Sequence, residues 1–164
     1  MYKSVVDTTE PVVVTLSTAL KRIKDGNSEE TVSQVRDGSK SRKKDLPIAL
    51  FSGVFEGRKD QDLKVHSGLI VLDFDHINVS ESKSLLGTDD YVLACWASPS
   101  GDGLKALINV SHPDKHRDHF RSLQSYFEKQ YGLEVDPSGV NEARACYESY
   151  DPDLVINTTA QPFS

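Results

Sequence analysis

Apolar positions recur along the chain with both helical and strand-like spacing. Leu16, Leu20 and Ile23 lie four and three residues apart, which predicts a helix over 16–25 that stops at Gly26. Another apolar stripe predicts a long helix that begins at Pro113 and ends before Gly132. Residues 28–37, with Ser28 as N-cap, and residues 80–86 are predicted to be shorter helices.

Short apolar runs predict the strands. The clearest are residues 68–75, 91–97 and 104–110, and weaker candidates are residues 48–52 and the VVVTL segment, residues 12–16. Strand and helix signals alternate without an internal repeat. The pattern therefore predicts a mixed α+β (α/β) fold in a single domain over residues 1–164.

Composition narrows the class of protein. The 164 residues are 37% hydrophobic and 27% charged, which is typical of a soluble globular domain, and no apolar run approaches the roughly 20 residues that span a bilayer. Two cysteines and no signal-peptide-like segment predict a cytoplasmic protein without a membrane partner. The net charge of −6 argues against a strong general affinity for nucleic acid, but it is compatible with a nucleotide site built around metal ions.

Asp73 and Asp75 follow the most apolar predicted strand. Alternate side chains of a strand share a face, so both carboxylates are expected to point the same way, with Phe74 opposite. Two adjacent carboxylates repel unless a cation joins them, and Mg²⁺ or Mn²⁺ prefers oxygen ligands. The pattern favours a metal site at the end of this strand over a strand end with solvated aspartates.

The segment SPSGDGLKALINV, residues 98–110, is the second candidate. Its turn is expected to expose backbone N–H groups in the way that cradles phosphate, with contributions from Ser98, Ser100, Gly101 and Gly103. Lys105 lies on the following strand and needs a partner there, which a triphosphate would supply. A hairpin turn with an edge-strand lysine is the alternative.

Two later residues extend the candidate site. Asp136 precedes a Pro-Ser-Gly turn and is either a third metal ligand or a turn residue. Arg144 lies among small and apolar residues, where its guanidinium needs a phosphate, an acidic partner or a nearby glutamate.

The histidines give weaker signals. Three of them have helical spacing without a cysteine or acidic motif to complete a zinc site, and they are predicted to face solvent: His112, His116 and His119. His66 and His76 flank the aspartate strand and either support a metal site or lie at the surface. Trp96 is predicted to lie in the core.

Taken in order, four segments resemble the motifs of the archaeo-eukaryotic primase (primase–polymerase) superfamily. The closest similarity is to its VirE N-terminal-like branch, which occurs in bacterial mobile elements and phages. The resemblance covers roughly residues 45–157 and consists of LPIALFSGVFEGR, HSGLIVLDFDHI, SPSGDGLKALI and ARACYESYDPDLVIN.

The resemblance implies an RRM-like twisted β-sheet flanked by helices, and a metal-dependent DNA primase or polymerase activity. It implies that Mg²⁺ or Mn²⁺ binds the catalytic residues Asp73, Asp75 and Asp136. It further implies that nucleoside triphosphate binds the segment from Ser98 to Lys105, assisted by Arg144. The implied partners are single-stranded or primed DNA and a helicase domain or partner within a longer replication protein.

One position departs from that superfamily. Its second motif usually reads Ser-x-His, whereas Lys105 stands near the histidine's place. A lysine neutralises phosphate but cannot accept a hydrogen bond, so the handling of the triphosphate is expected to differ.

Two other functions fit parts of the pattern. A haloacid-dehalogenase-type phosphatase also begins with an apolar strand and Asp-x-Asp, but Ile77 stands where that family usually has Thr or Val after the second aspartate. A non-catalytic module that binds nucleotide or nucleic acid is the second alternative.

Overall fold

A computed structural model describes residues 1–164, and the chain forms four α-helices and eight β-strands. The helices are α1 (Leu16–Asp25), α2 (Glu29–Arg36), α3 (Val79–Leu86) and α4 (His116–Tyr131). The strands are β1 (Ile48–Ala49), β2 (Gly53–Phe55), β3 (Leu63–His66), β4 (Leu69–Phe74), β5 (Val92–Ala97), β6 (Leu104–Asn109), β7 (Cys146–Tyr147) and β8 (Val155–Ile156). The predicted mixed α+β class is confirmed.

The centre of the fold is a four-stranded antiparallel sheet in the order β4-β6-β5-β8. The pairing of β4 with β6 runs from Leu69 opposite Asn109 to Phe74 opposite Leu104. Two small antiparallel pairs, β1-β7 and β2-β3, lie outside this sheet. The strand β4 is therefore an edge strand, although its sequence is the most apolar.

Both faces of the central sheet are covered. On one face Ile70, Leu72 and Phe74 pack with residues of α4, and the rings of Phe74 and Phe127 meet edge to face at 5.4 Å between centroids. On the other face Leu107 and Trp96 pack with α1. Trp96 is fully buried, as predicted. Because side chains alternate along β4, Asp73 falls on the α1 face.

The helix boundaries follow from local capping. Thr15 Oγ1 accepts a hydrogen bond from the Thr18 N–H at 3.1 Å, and α1 ends at Gly26 with φ of 82°, as the sequence predicts. The long helix α4 begins at His116 rather than Pro113, because residues 113–115 form a 3₁₀ turn first.

Two strand predictions were wrong, and Ser28 occupies the predicted N-cap position without capping the helix through its side chain. Residues 12–16 form no strand, because no neighbouring strand pairs with them, and the predicted strand over 48–52 is limited to Ile48 and Ala49. Ser28 precedes α2 but makes no side-chain cap. Its hydroxyl instead donates to Glu148 Oε1 at 2.5 Å and ties α2 to the C-terminal part of the chain.

None of the helices has the length and apolar character that crossing a membrane requires.

Candidate functional site

Asp73 and Lys105 form a buried ion pair across the central sheet. They are direct cross-strand neighbours on β4 and β6, and Trp96 on β5 continues the same row. The Lys105 ammonium donates to Asp73 Oδ1, and the two side chains are only 8% and 14% exposed. The prediction that Lys105 needs a partner is confirmed, and in this structure that partner is an aspartate.

The surroundings keep Lys105 charged. Burial disfavours its charge, but the carboxylate of Asp73 favours it through its charge and its hydrogen bond, and the net effect raises the pKa of Lys105. Burial also raises the pKa of the Cys146 thiol to about 11, so this thiol is neutral at ordinary pH. Lys105 and Asp73 therefore form an ionic pair inside a covered face of the sheet.

The loop over residues 136–144 brings Asp136 and Arg144 to the outer edge of β4. The Asp136 N–H donates to the carbonyl oxygen of Asp73 at 2.9 Å, which fixes this loop beside the end of the strand. Arg144 Nη2 lies 3.2 Å from Asp136 Oδ2 and 3.9 Å from Asp73 Oδ2. One guanidinium thus joins two of the three predicted acidic residues.

Asp136 also caps its own turn, as the alternative interpretation of the sequence suggested. Its carboxylate accepts from the Ser138 N–H at 2.9 Å and from the Ser138 hydroxyl at 2.6 Å. Burial raises the pKa of Asp136, but these hydrogen bonds and the charges of Arg144 and Lys105 outweigh burial and lower it. Asp136 is therefore ionised and is held by both a turn and a cation.

Asp75 lies just beyond the end of β4, is exposed, and has no hydrogen bond or ion pair. A Cβ atom on Gly103 would lie 3.3 Å from Asp75 Oδ1 and 2.4 Å from the Phe74 carbonyl oxygen. Only a glycine at position 103 allows this close approach between the start of β6 and the end of β4. Asp75 thus borders the site but forms no metal-holding group with Asp73 and Asp136.

The turn over residues 98–103 closes on itself and leaves several donors free. The Ser98 N–H donates to the Gly103 carbonyl at 2.8 Å, and the Gly101 N–H, on a residue with φ of 81°, donates to the Ser98 carbonyl at 3.0 Å. The N–H groups of Ser100, Asp102 and Gly103 have no acceptor in the protein. The Ser98 hydroxyl is buried and also has no partner.

Sequence reasoning missed Arg36, which supports this turn from α2. Arg36 Nη2 donates to the carbonyl oxygens of Ser98 at 3.1 Å and Tyr150 at 2.9 Å. A Cβ atom on Gly101 would lie 3.3 Å from the Arg36 side chain. Nothing in the local sequence around Arg36 signals this contact, because it joins segments that are distant in the chain.

Basic groups border the site on the side of residues 40–45, which form a 3₁₀ helix. The Lys43 ammonium lies 5.4 Å from the centroid of the Tyr147 ring. Tyr147 directly follows Cys146, whose thiol is close enough to Lys105 and Asp73 for their charges to affect its pKa. The basic segment 40–45 is therefore adjacent to the ion pair of Asp73 and Lys105.

The described side chains form no group of three or more His, Cys, Asp or Glu residues arranged to hold a metal ion. Asp73 and Asp136 both lie near the Arg144 guanidinium, whereas Asp75 has no ion pair. Carboxylate oxygens are the right kind of ligand for Mg²⁺ or Mn²⁺. In this arrangement, however, two of the three carboxylates already have cationic partners.

The prediction that His112, His116 and His119 face solvent was wrong for two of them. His116 and His119 are 2% and 7% exposed. His66 Nδ1 accepts from the Gly68 N–H at 2.9 Å, so His66 Nε2 carries the proton and donates to His116 Nδ1 at 2.9 Å. His76 is exposed and pairs with Asp102 at 2.8 Å. Neither His66 nor His76 hydrogen-bonds to Asp73 or Asp75.

Comparison with known proteins identifies the family. No curated protein and no solved structure matches the chain. The family model described as "BT4734-like, N-terminal domain" matches residues 41–155, a range that contains all the site residues predicted from the sequence but not Arg36. The chain therefore belongs to the BT4734-like N-terminal domain family.

Proposed function

We propose that this domain is a metal-dependent nucleotidyltransferase that uses nucleoside triphosphates on a DNA template, as a primase or polymerase does. The observation that carries the proposal is the meeting of Asp73, Lys105, Asp136 and Arg144 beside a turn with unpaired N–H groups. This arrangement combines ligands for a cation with donors for a polyphosphate at one edge of one sheet.

Each group has a defined part in this proposal. Asp73, Asp75 and Asp136 would hold Mg²⁺ or Mn²⁺, which supplies activation of the attacking hydroxyl and stabilisation of the leaving pyrophosphate when bound. Lys105 and Arg144 would bind phosphate oxygens through charge-assisted hydrogen bonds. The free N–H groups of the 98–103 turn would orient the triphosphate.

The nucleic acid would lie on the basic side of the site. Residues 40–45 carry Lys40, Arg42, Lys43 and Lys44, and Lys43 is adjacent to the site through Tyr147. Such side chains neutralise backbone phosphates regardless of base sequence. A helicase domain or partner would supply the template.

The test is template-directed extension with labelled nucleotides and Mn²⁺, comparing the wild type with Asp75→Asn and Asp136→Asn. Asp75 has no partner to lose, so Asp75→Asn is expected to leave the unfolding free energy within about 0.5 kcal/mol of the wild type. Incorporation is expected to fall by about 100-fold or more in both variants.

The matched control is Asp118→Asn on α4, whose carboxylate is 77% exposed and lies outside the site. This variant is expected to retain full activity. Incorporation that is unchanged in Asp75→Asn and Asp136→Asn would refute the metal-dependent mechanism.

A second candidate is nucleotide binding without catalysis. It is favoured by the cationic partners of Asp73 and Asp136 and by the separation of Asp75 from both. Nucleotide binding measured in parallel by calorimetry distinguishes the two functions, since a wild-type protein that binds triphosphate and incorporates none would support this second candidate.

A further inference from the structure

We propose that Lys105 is an internal counter-ion that excludes divalent metal from Asp73 until a bound polyphosphate draws the Lys105 ammonium away from Asp73. The inference rests on the proposed function, because it concerns the order in which ligands enter the same site. It assigns to Lys105 a role in regulating the site as well as in binding phosphate.

The first support is that only side chains neutralise Asp73. Its Oδ1 accepts from Lys105, and its Oδ2 faces Arg144 at 3.9 Å. No backbone N–H and no hydroxyl donates to this carboxylate. Both of its partners are long, flexible cations, which can leave without breaking secondary structure.

The second support is that a metal ion and Lys105 compete for the same oxygen. A divalent cation bound at Asp73 Oδ1 would lie beside the ammonium of Lys105, and two cations repel strongly where burial reduces screening by water. The side chain of Lys105 is 8% exposed, so solvent does little to weaken this repulsion. Metal binding therefore requires Lys105 to move or to be compensated.

The third support is an acceptor position for Lys105 nearby. Gly103 lies two residues before Lys105, and its N–H is one of the three unpaired donors of the 98–103 turn. A polyphosphate held by that turn would present oxygens to Lys105 and Arg144 together. Because coupling between two ligands is reciprocal, the polyphosphate would then raise the metal affinity of Asp73.

The test compares the Mn²⁺ affinity of the wild type, Lys105→Met and Lys83→Met by titration calorimetry without nucleotide. Lys83→Met is the matched control, because Lys83 also forms a buried pair with an aspartate, Asp151, at 2.5 Å. Lys105→Met is expected to bind Mn²⁺ about tenfold more tightly than the wild type or more, while Lys83→Met does not. Equal or weaker Mn²⁺ binding by Lys105→Met would overturn the inference.

A second arm measures the binding of inorganic tripolyphosphate in the presence of EDTA. The wild type is expected to bind it, and Lys105→Met to bind it at least about tenfold more weakly. Equal binding by both proteins would show that Lys105 does not exchange partners and would overturn the inference. Lys105→Gln keeps an N–H donor for Asp73 without the charge, and it replaces Lys105→Met in both arms if that variant does not fold.

These outcomes are separable from those of the proposed function. A protein that incorporates no nucleotide but shows the tenfold gain in Mn²⁺ affinity and the loss of tripolyphosphate binding refutes the polymerase activity and supports the counter-ion. A protein that incorporates nucleotide but shows no gain in Mn²⁺ affinity supports the activity and refutes the counter-ion.

Discussion

Two buried lysine–aspartate pairs in this fold are alike in charge and differ in how the aspartate is held. Asp151 accepts from Lys83 at 2.5 Å, from the Ala97 N–H at 2.7 Å and from the Asp153 N–H at 3.0 Å. The Asp73 carboxylate accepts a hydrogen bond only from Lys105, and Arg144 lies 3.9 Å from its Oδ2. The first carboxylate is fixed by the backbone and the second is not.

The difference separates a structural pair from an exchangeable one. Moving Asp151 away from its donors would leave two backbone N–H groups without an acceptor, which is costly inside a protein. Asp73 can change partners while every backbone hydrogen bond of β4 stays intact. The carboxylate without backbone donors is therefore the better candidate for binding a ligand.

The largest expected effect concerns the aspartate counter-charge, which both lysine–aspartate pairs share. Asp73→Asn and Asp151→Asn are each expected to lower the unfolding free energy by about 3–5 kcal/mol, because each leaves a lysine without its counter-charge, and these lysines are only 8% exposed (Lys105) and 17% exposed (Lys83). Urea denaturation measures this. Asp153→Asn, an exposed neighbour whose carboxylate has no partner, should stay within about 0.5 kcal/mol of the wild type. A loss below about 1 kcal/mol for Asp73→Asn would contradict the prediction and show that Lys105 does not depend on Asp73 for its counter-charge.

The next effect concerns the pH dependence of stability, which we expect to arise from the neutral pair of His66 and His116 rather than from the two ionic pairs. Burial lowers the pKa of His116 from 6.5 to about 4. Between these values the unfolded state binds more protons than the folded state, so stability falls as the pH is lowered from about 6.5 to about 4, by at most about 3 kcal/mol. Urea denaturation across this range should show the decline in the wild type.

His116→Gln keeps an acceptor for His66 and does not titrate, so it should flatten this decline. His76→Gln changes an exposed histidine and keeps His116, so it should retain the decline. A wild-type stability that is constant between pH 6.5 and pH 4 would contradict the assignment of a neutral, buried His116.

The smallest effect compares the glycines beside the two ionic pairs. Gly103→Ala would place a Cβ atom 2.4 Å from the Phe74 carbonyl oxygen, so the strand ends beside Asp73 must separate, and we expect a loss of about 1–3 kcal/mol. Gly87→Ala, near Lys83, meets its nearest atom at 3.0 Å and should cost less. Thermal unfolding of both variants checks the order, and the reverse order would mean that the Asp73 end tolerates separation.

Much of the fold could be predicted because the signals are local. The run from Ile70 to Leu72 predicts a buried strand, and the spacing of Leu16, Leu20 and Ile23 predicts α1. The need of Lys105 for a partner also followed from its apolar neighbours. Residues 12–16 show the limit, because β-branched residues favour a strand only where a neighbouring strand pairs with them.

The rest of the site depends on contacts between distant segments. Arg36 reaches the 98–103 turn from α2, and His66 meets His116 from β3, and neither local sequence encodes its partner. That Asp75 shares a face with Asp73 stays a prediction, because β4 ends at Phe74 and the strand alternation no longer fixes the direction of the next side chains. Which charges meet is decided by tertiary packing.

The single backbone hydrogen bond between Asp136 and the Asp73 carbonyl has a kinetic consequence. It closes a long stretch of chain against the edge of a sheet that is already complete without it, and such closure costs conformational entropy. Pairing of β4 with β6 is more local in the chain than docking of the 136–144 loop. We therefore expect the ion pair of Asp73 and Lys105 to form during folding before Asp136 and Arg144 dock beside it.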